Sequence, residues 1–363
     1  MCIGVLGGGQ LGRMLALAGY PLGLQFRFFD PSPQAPAGQV AELVVGDYAD
    51  AGALARFAEG LERVTYEFEN VPLSAVKSLP RSLPVYPPLL ALEVAQDRLA
   101  EKTFFQKLGV PTPPFYPVTT QGDFERGLER IGFPALLKTR RLGYDGKGQR
   151  LLRTPAEAEA AWAALGGQPL LLEGFVPFER ELSLLSVRSL SGQVAHYPLV
   201  ENHHASGILR KSLAPAPDTP SRLQHQAESI ALKVMERLEY VGLLAIEFFE
   251  LEGVLWANEM APRVHNSGHW TLEGAETSQF ENHLRSVLGL PLGSTAPRGY
   301  SAMLNLIGLK PEAARVLEIP GAHLHWYGKE VRPGRKVGHI TLRADTPGGL
   351  EAGLRQLEAL LTG

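Results

Sequence analysis

Glu247 and Glu259 sit in two apolar segments, residues 243–250 and 254–260, separated by Gly253. A hairpin turn centred on Gly253 sets the two glutamates opposite each other on one face, whereas a one-residue slip sets Glu247 opposite Asn258. Bare carboxylates about 4 Å apart repel by roughly 4 kcal/mol at an effective dielectric near 20. One of them is then protonated, or the two share a cation, or they splay into solvent. Ala245, Phe249 and Ala257 flank the pair, so little water is expected to screen it. Mg²⁺ held between the two carboxylates and the phosphates of a substrate resolves the repulsion.

Directly after Glu259, a loop brings together Arg263, His265, Asn266, Ser267 and His269. Loops carried by rigid strands are where binding groups concentrate. Zinc is disfavoured, because histidines four apart share a face only on a helix, and Pro262 and Gly268 argue against one. His203 and His204 are no better as a metal pair, since neighbouring side chains on a strand point to opposite faces.

Two glycine loops point to phosphate. Gly7, Gly9 and Gly12 fit G-x-G-x-x-G between a strand and a helix, a pattern that brings backbone N–H groups and a helix N-terminus to an anion. Asp30 ends the second strand, where a dinucleotide fold keeps its ribose-binding acid, so the first 90 residues alone suggest NAD. Lys138 ends an apolar strand and needs an anion if its side chain is buried. The turn Gly143, Tyr144, Asp145, Gly146, Lys147, Gly148, Gln149 follows, with Arg140 and Arg141 adding charge. Such a turn suits a lid over a triphosphate; a basic surface turn without a ligand is the alternative.

The elements that must position these groups fall into three units. Residues 3–6, 25–29 and 63–66 read as buried strands, with helical spacing over 11–18 and 52–59, which predicts a parallel sheet covered on both faces. Four prolines (Pro80, Pro84, Pro87 and Pro88) mark a linker, followed by one amphipathic helix over 93–108. Strands over 135–139, 170–175 and 181–188 surround a helix over 155–164. A long helix over 221–238 leads into the glutamate hairpin. Short strands over 303–307, 323–327 and 339–343 and a closing helix form a small mixed cap.

The 363 residues carry 35 basic and 38 acidic side chains, a formal charge of −3, which excludes a broadly basic nucleic-acid binder. No apolar run approaches a membrane span. The apolar start runs into glycines and Arg13 and reads as a strand, not a leader. Cys2 is the only cysteine, which suits a reducing cytoplasm.

The ordered set from the first glycine loop through Asp97-Arg98, Lys138, residues 143–149, residues 173–176, Glu247 and Asn258-Glu259 resembles an ATP-grasp ligase. Within that superfamily, residues 259–270 and 323–339 resemble the ATP-dependent 5-(carboxyamino)imidazole ribonucleotide synthases of purine biosynthesis, over essentially the whole chain. The resemblance implies an ATP-grasp fold of the mixed α/β and α+β class. Its expected units are a Rossmann-like pre-ATP-grasp domain (1–90), an ATP-grasp domain (91–297) with a lid at about 110–180, and a small C-terminal domain (298–363). It implies that ATP phosphorylates bicarbonate to carboxyphosphate and that the amine of 5-aminoimidazole ribonucleotide then takes the carboxyl group. A homodimer and functional coupling to a following mutase are also implied.

By the same resemblance, Arg98 and Lys138 contact ATP phosphates, residues 143–149 form the lid loop, and Glu173, Gly174, Phe175 and Val176 line the adenine pocket. Glu181 and His204 lie at the nucleotide, and Glu247 and Glu259 ligate Mg²⁺ beside Asn258. Tyr144, Asp145, Lys147, Arg263, His265 and Asn266 line the acceptor site, with Asp145 and His265 orienting the acceptor and handling its proton. Lys329, Arg335 and Lys336 meet the ribonucleotide phosphate, with Gln10, Leu11 and Glu67 nearby. This reading moves the first glycine loop from NAD to a sugar phosphate. Lys147 stands where many relatives carry arginine, which keeps the charge and loses the planar fork. Leu142 stands where some carry glycine, which stiffens the lid. The rivals are a ligase joining formate to glycinamide ribonucleotide, an NAD(P)-dependent oxidoreductase, and a non-catalytic nucleotide sensor.

Overall fold

The computed structural model describes residues 1–143 and 146–362. The expectations placed on Tyr144 and Asp145 lie outside the described residues.

The N-terminal sheet is parallel, in the order β3-β2-β1-β4, from β1 (Cys2–Leu6), β2 (Gln25–Asp30), β3 (Glu42–Val45) and β4 (Arg63–Tyr66). Its helix Gln10–Gly19 packs Leu11, Met14 and Leu15 into the core with Ile3, Val5 and Phe28, the stripe that its apolar spacing predicts.

A second, antiparallel sheet in the order β5-β8-β6-β7 comprises β5 (Phe115–Val118), β6 (Ala135–Thr139), β7 (Gln149–Leu152) and β8 (Leu170–Gly174). The glycine turn connects β6 to β7. Phe124 and Trp162, from the two helices on this sheet, stack with centroids 5.4 Å apart.

The third sheet contains β9 (Arg180–Arg188), β10 (Val194–His196), β11 (Val200–Ala205), β12 (Ile208–Ala214), β13 (Gly242–Leu251), β14 (Val254–Ala261), β15 (Tyr300–Ile307), β16 (Ala322–Trp326) and β17 (Lys336–Ala344). Its order is β14-β13-β9-β11-β12-β15-β17-β16, with β10 on β9. The short strands expected as a small cap over the last 65 residues join this sheet: β12 pairs with β15 and carries the C-terminal strands onto the same surface. The helix Ser221–Arg237 buries Leu223, Ala227, Ile230 and Val234 against Leu182, Leu184, Leu244, Ile246 and Phe248. Each of these leucine, isoleucine, valine and phenylalanine side chains contributes about 1.5–3 kcal/mol on burial. The opposite face of β13 carries Glu247.

Two expectations are corrected. The single helix over 93–108 is two helices, Leu89–Ala95 and Arg98–Lys107. Asp97 breaks the run by accepting the N–H groups of Leu99 and Ala100 as an N-cap. The hairpin turn is centred between Glu252 and Gly253, both left-handed at φ 51° and 70°, as a two-residue type I′ turn requires. That register alone opposes Glu247 to Asn258. An irregularity between Glu247 and Phe248 moves the pairing by one residue, so Phe248 faces Ala257, Glu247 faces Glu259, and Asn258 bulges between them.

Candidate active site

A cleft of about 800 Å³ runs between the three sheets. Its walls include Arg98, Lys138, Gly143, Gly146, Gln149, Glu173, Gly174, Phe175, Val176, Glu181 and His204 toward the glycine turn. Glu247, Asn258, Glu259, Arg263, His265 and Asn266 form the middle, and Gln10, Leu11, Glu67, Lys329 and Lys336 the end under the N-terminal sheet. Gly148 sits behind this wall against Thr139, in a left-handed conformation at φ +72°. Arg335 is exposed and bonds the Glu330 carbonyl, at 3.5 Å, from outside the cleft wall. Lys147 lies in the turn between β6 and β7.

At the glycine-turn end, Lys138 finds its anion within the protein: Nζ lies 2.6 Å from Glu173 Oε2. Lys102, fully buried, approaches the other oxygen at 3.7 Å. Burial alone raises the Glu173 carboxyl, but the two lysines outweigh it and bring it to about 2. Lys102 was not legible as a site residue, because one lysine in an amphipathic helix reads as surface. Arg140 and Arg141, expected to add charge at the lid, both bind the helix-capping carboxylate of Asp97. Leu142 is held at φ 61° and exposed, a conformation that glycine adopts without strain.

In the middle, Glu247 is half-buried, and desolvation together with the facing Glu259 pushes its carboxyl up to about 8. Arg98 donates to Glu259 at 3.1 Å. Glu101, also driven to about 8 by burial and Glu259, accepts the Met260 N–H at 2.6 Å. Asn258 Oδ1 and Asn266 Oδ1 are buried without a partner. Two carboxylates and an orphaned amide oxygen around one bulge form a hard oxygen donor set suited to Mg²⁺. Among the described residues no cluster of three or more His, Cys, Asp or Glu side chains forms a cage, so a cation here needs oxygens from a ligand.

Arg263 pairs with Glu69, an acid that sequence reasoning passed over. His265 Nε2 lies 3.3 Å from Glu247 Oε1. Burial, with Arg263 beside it, pushes His265 down to about 3, so the ring is neutral. His204 Nδ1 lies 3.0 Å from Glu181 Oε2; burial opposes its charge, but the carboxylate prevails and raises its pKa. Phe178 and Phe249 stack 4.7 Å apart in the cleft wall, brought together from separate segments without any local signal.

The far end corrects the dinucleotide reading. Asp30 accepts the N–H groups of Gly8 and Ser32, each at 2.8 Å. Glu67 accepts those of Gly9 and Gly12. The helix N-terminus is thus already occupied by a carboxylate of the protein. A Cβ on Gly9 would lie 2.4 Å from Glu67 Oε1, so glycine is required for that approach. Lys329 Nζ reaches Gln10 Oε1 at 2.5 Å.

Family models match residues 1–96 to a ribonucleotide synthetase preATP-grasp domain, 103–280 to an ATP-grasp domain, and 301–352 to a phosphoribosylaminoimidazole carboxylase C-terminal domain. A relative from Pseudomonas aeruginosa, N5-carboxyaminoimidazole ribonucleotide synthase, is 54% identical over 361 residues, 99% of each chain. The chain belongs to the N5-carboxyaminoimidazole ribonucleotide synthase family.

Solved members of this synthase family share the whole architecture. The synthetase from Thermus thermophilus superposes with a TM-score of 0.96 at 69% identity over 99% of both chains. An Aspergillus clavatus synthase, in complex with ADP and 5-aminoimidazole ribonucleotide, gives 0.91 at 31% identity over 99% of this chain and 98% of its own. The ATP-grasp fold expected from the sequence is thus the fold of this family. No helix among the described residues is long and apolar enough to cross a membrane.

Proposed function

We propose that this chain is an ATP-dependent carbon–nitrogen ligase of purine biosynthesis. It carboxylates the amine of 5-aminoimidazole ribonucleotide with bicarbonate and releases 5-(carboxyamino)imidazole ribonucleotide, ADP and phosphate. The observation that carries this reading is the single cleft that joins the Lys138 end, the Glu247–Glu259 pair and the Lys329 end, in a chain 54% identical to a curated synthase.

Lys138 and Arg98 neutralise the polyphosphate, with the lid turn closing over it. Gly174, Phe175 and Val176 line the base, and Glu181 with His204 holds the ribose side. Glu247, Glu259 and Asn258 would hold Mg²⁺, which supplies charge neutralisation on the transferred phosphoryl group. Bicarbonate oxygen attacks the γ-phosphorus and ADP leaves. The ribonucleotide amine then attacks the carboxyl carbon of carboxyphosphate, the carbon–oxygen bond to phosphate breaks, and the amine loses a proton. Arg263, His265 and Asn266 surround the place where these groups meet, and burial there keeps water from the short-lived carboxyphosphate. Lys329 and Lys336, with Arg335 at the rim, attract the ribonucleotide phosphate, and Gln10, Leu11 and Glu67 shape its seat.

Residues 1–90, 91–297 and 298–363 are the working units of this reading, acting as a homodimer in the cytosol, with the labile product passed to a mutase. The deciding measurement is ADP release with Mg-ATP and bicarbonate, with and without the ribonucleotide. Strong stimulation by it, with bicarbonate carbon in the product, supports the assignment. Stimulation instead by formate with glycinamide ribonucleotide overturns the substrate, and silence with every acceptor overturns the ligase.

A further inference from the structure

A buried chain of hydrogen bonds crosses the third sheet beneath the cleft and ends on His265. The backbone N–H of Ser267 points at His265 Nδ1 at 3.3 Å. A backbone amide can only donate, so Nδ1 carries a lone pair and no proton. Ser267 Oγ lies 2.9 Å from the same nitrogen and must therefore donate to it. That commits the rest. Ser267 accepts from Ser183 Oγ at 2.8 Å, and Ser183 accepts from the Asn202 amide at 2.9 Å. Asn202 turns its carbonyl to Ser212, whose hydroxyl donates at 2.8 Å.

Ser183, Ser212 and Ser267 are fully buried, and Asn202 is only 5% exposed, so water does not compete. Sheet register builds the row: Glu247 pairs with Ser183 on β9, and Asn202 on β11 pairs with Ser212 on β12. Four hydrogen bonds with one direction thus leave the neutral ring's proton on Nε2, the nitrogen that faces Glu247.

We infer that Ser267, Ser183, Asn202 and Ser212 are positioning residues that lock His265 as the Nε2–H tautomer, so that it donates a hydrogen bond to an anionic oxygen in the cleft. A ring that already holds its proton at Nε2 does not take the proton of the acceptor amine there. Within the proposed carboxylation, that single N–H passes from Glu247, 3.3 Å away in the free chain, to carboxyphosphate or to the phosphate that leaves it.

The role of His265 in turnover rests on the proposed function; the tautomer does not. The test is ¹⁵N-histidine NMR of the full chain combined with steady-state kinetics. Wild type is expected to show an unprotonated, hydrogen-bonded Nδ1 and a protonated Nε2 for His265, assigned by loss of the signal in His265→Gln. Ser267→Ala removes the side-chain donor and Asn202→Asp reverses the donor at Ser183. Each is expected to shift the Nδ1 resonance and lower kcat about 10- to 100-fold with KM for ATP within about twofold, the size typical of lost outer-sphere partners. Ser267→Thr keeps the hydroxyl and restores both readouts. A protonated Nδ1 in wild type overturns the inference, as does an unchanged resonance and kcat in a folded Ser267→Ala. If wild type shows the expected tautomer but no turnover with the ribonucleotide, the carboxylation reading fails and the tautomer assignment stands.

Discussion

The carboxylate of Glu67 accepts the Gly9 N–H at 2.6 Å, fifty-eight residues away in the chain, and with it the Gly12 N–H at 2.8 Å. A loop whose sequence advertises an anion site is thereby closed by an anion of the protein itself. Burial raises the Glu67 carboxyl while the two amides, Lys329 and Arg263 pull it down, so this acid sits where its ionisation depends on those neighbours.

Replacing Glu67 by Ala strands two amide donors at a buried helix start. Each lost charge-assisted bond costs about 1.5–3 kcal/mol. Urea denaturation of Glu67→Ala is expected to show a loss of that order or twice it, and fluorescence titration of wild type with NADH is expected to show no binding. NADH binding by wild type would restore the dinucleotide reading.

The Glu247–Glu259 pair predicts proton release on metal binding. Glu247, at about 8 because of burial first and Glu259 second, is protonated in the free chain at pH 7. Its raised value means that, without metal, stability falls as pH rises from the ordinary carboxylate range through about 8. Calorimetry of Mg-ATP binding in buffers of different ionisation enthalpy is expected to report about one proton released at pH 7, fading above pH 8. Glu247→Gln is expected to abolish the release.

Lys102 and Glu173 predict an acid-side signature. Glu173 has a folded value of about 2, below the ordinary carboxylate value, so its contribution is full above the ordinary carboxylate range and is lost as pH falls toward 2. Lys102→Met leaves Lys138 as the remaining lysine on this buried carboxylate and is expected to cost about 1.5–3 kcal/mol. Its acid unfolding midpoint, followed by circular dichroism, should move to higher pH than in wild type.

Lys329 predicts how ribonucleotide affinity depends on pH. Burial lowers its ammonium to about 8, against the attraction of Glu67. Its charge is present below pH 8 and lost above it, so KM for the ribonucleotide should rise about tenfold per unit beyond pH 8 while KM for ATP stays flat. Lys329→Arg should remove that rise, because guanidinium keeps its proton throughout the range.

Much of this site was legible residue by residue. Lys138, Glu247 and Glu259 announce themselves because a charge in an apolar strand needs a partner, and strand alternation assigns its face; Glu173 entered only through the family resemblance. The Glu247–Glu259 pairing itself was reached through a turn one half-step out of place; the bulge at Asn258 restores the register, and a bulge leaves no mark in hydrophobic alternation. Lys102 lies in a helix whose exposed and buried faces depend on what packs there. Phe178 with Phe249, and Glu69 with Arg263, meet only because distant segments converge.

By itself the sequence determined the strand–helix alternation of the N-terminal unit, the types of chemistry present and the family motifs, because these rest on local periodicity and on side chains that cannot be buried alone. Only the tertiary structure decided which anion each cation meets, that Glu67 rather than a dinucleotide fills the glycine loop, and which nitrogen of His265 holds the proton. Each of those is settled by the approach of groups far apart in the chain. Hydrogen-bond direction and burial depend on that approach to within a few tenths of an ångström, a scale that residue order does not encode.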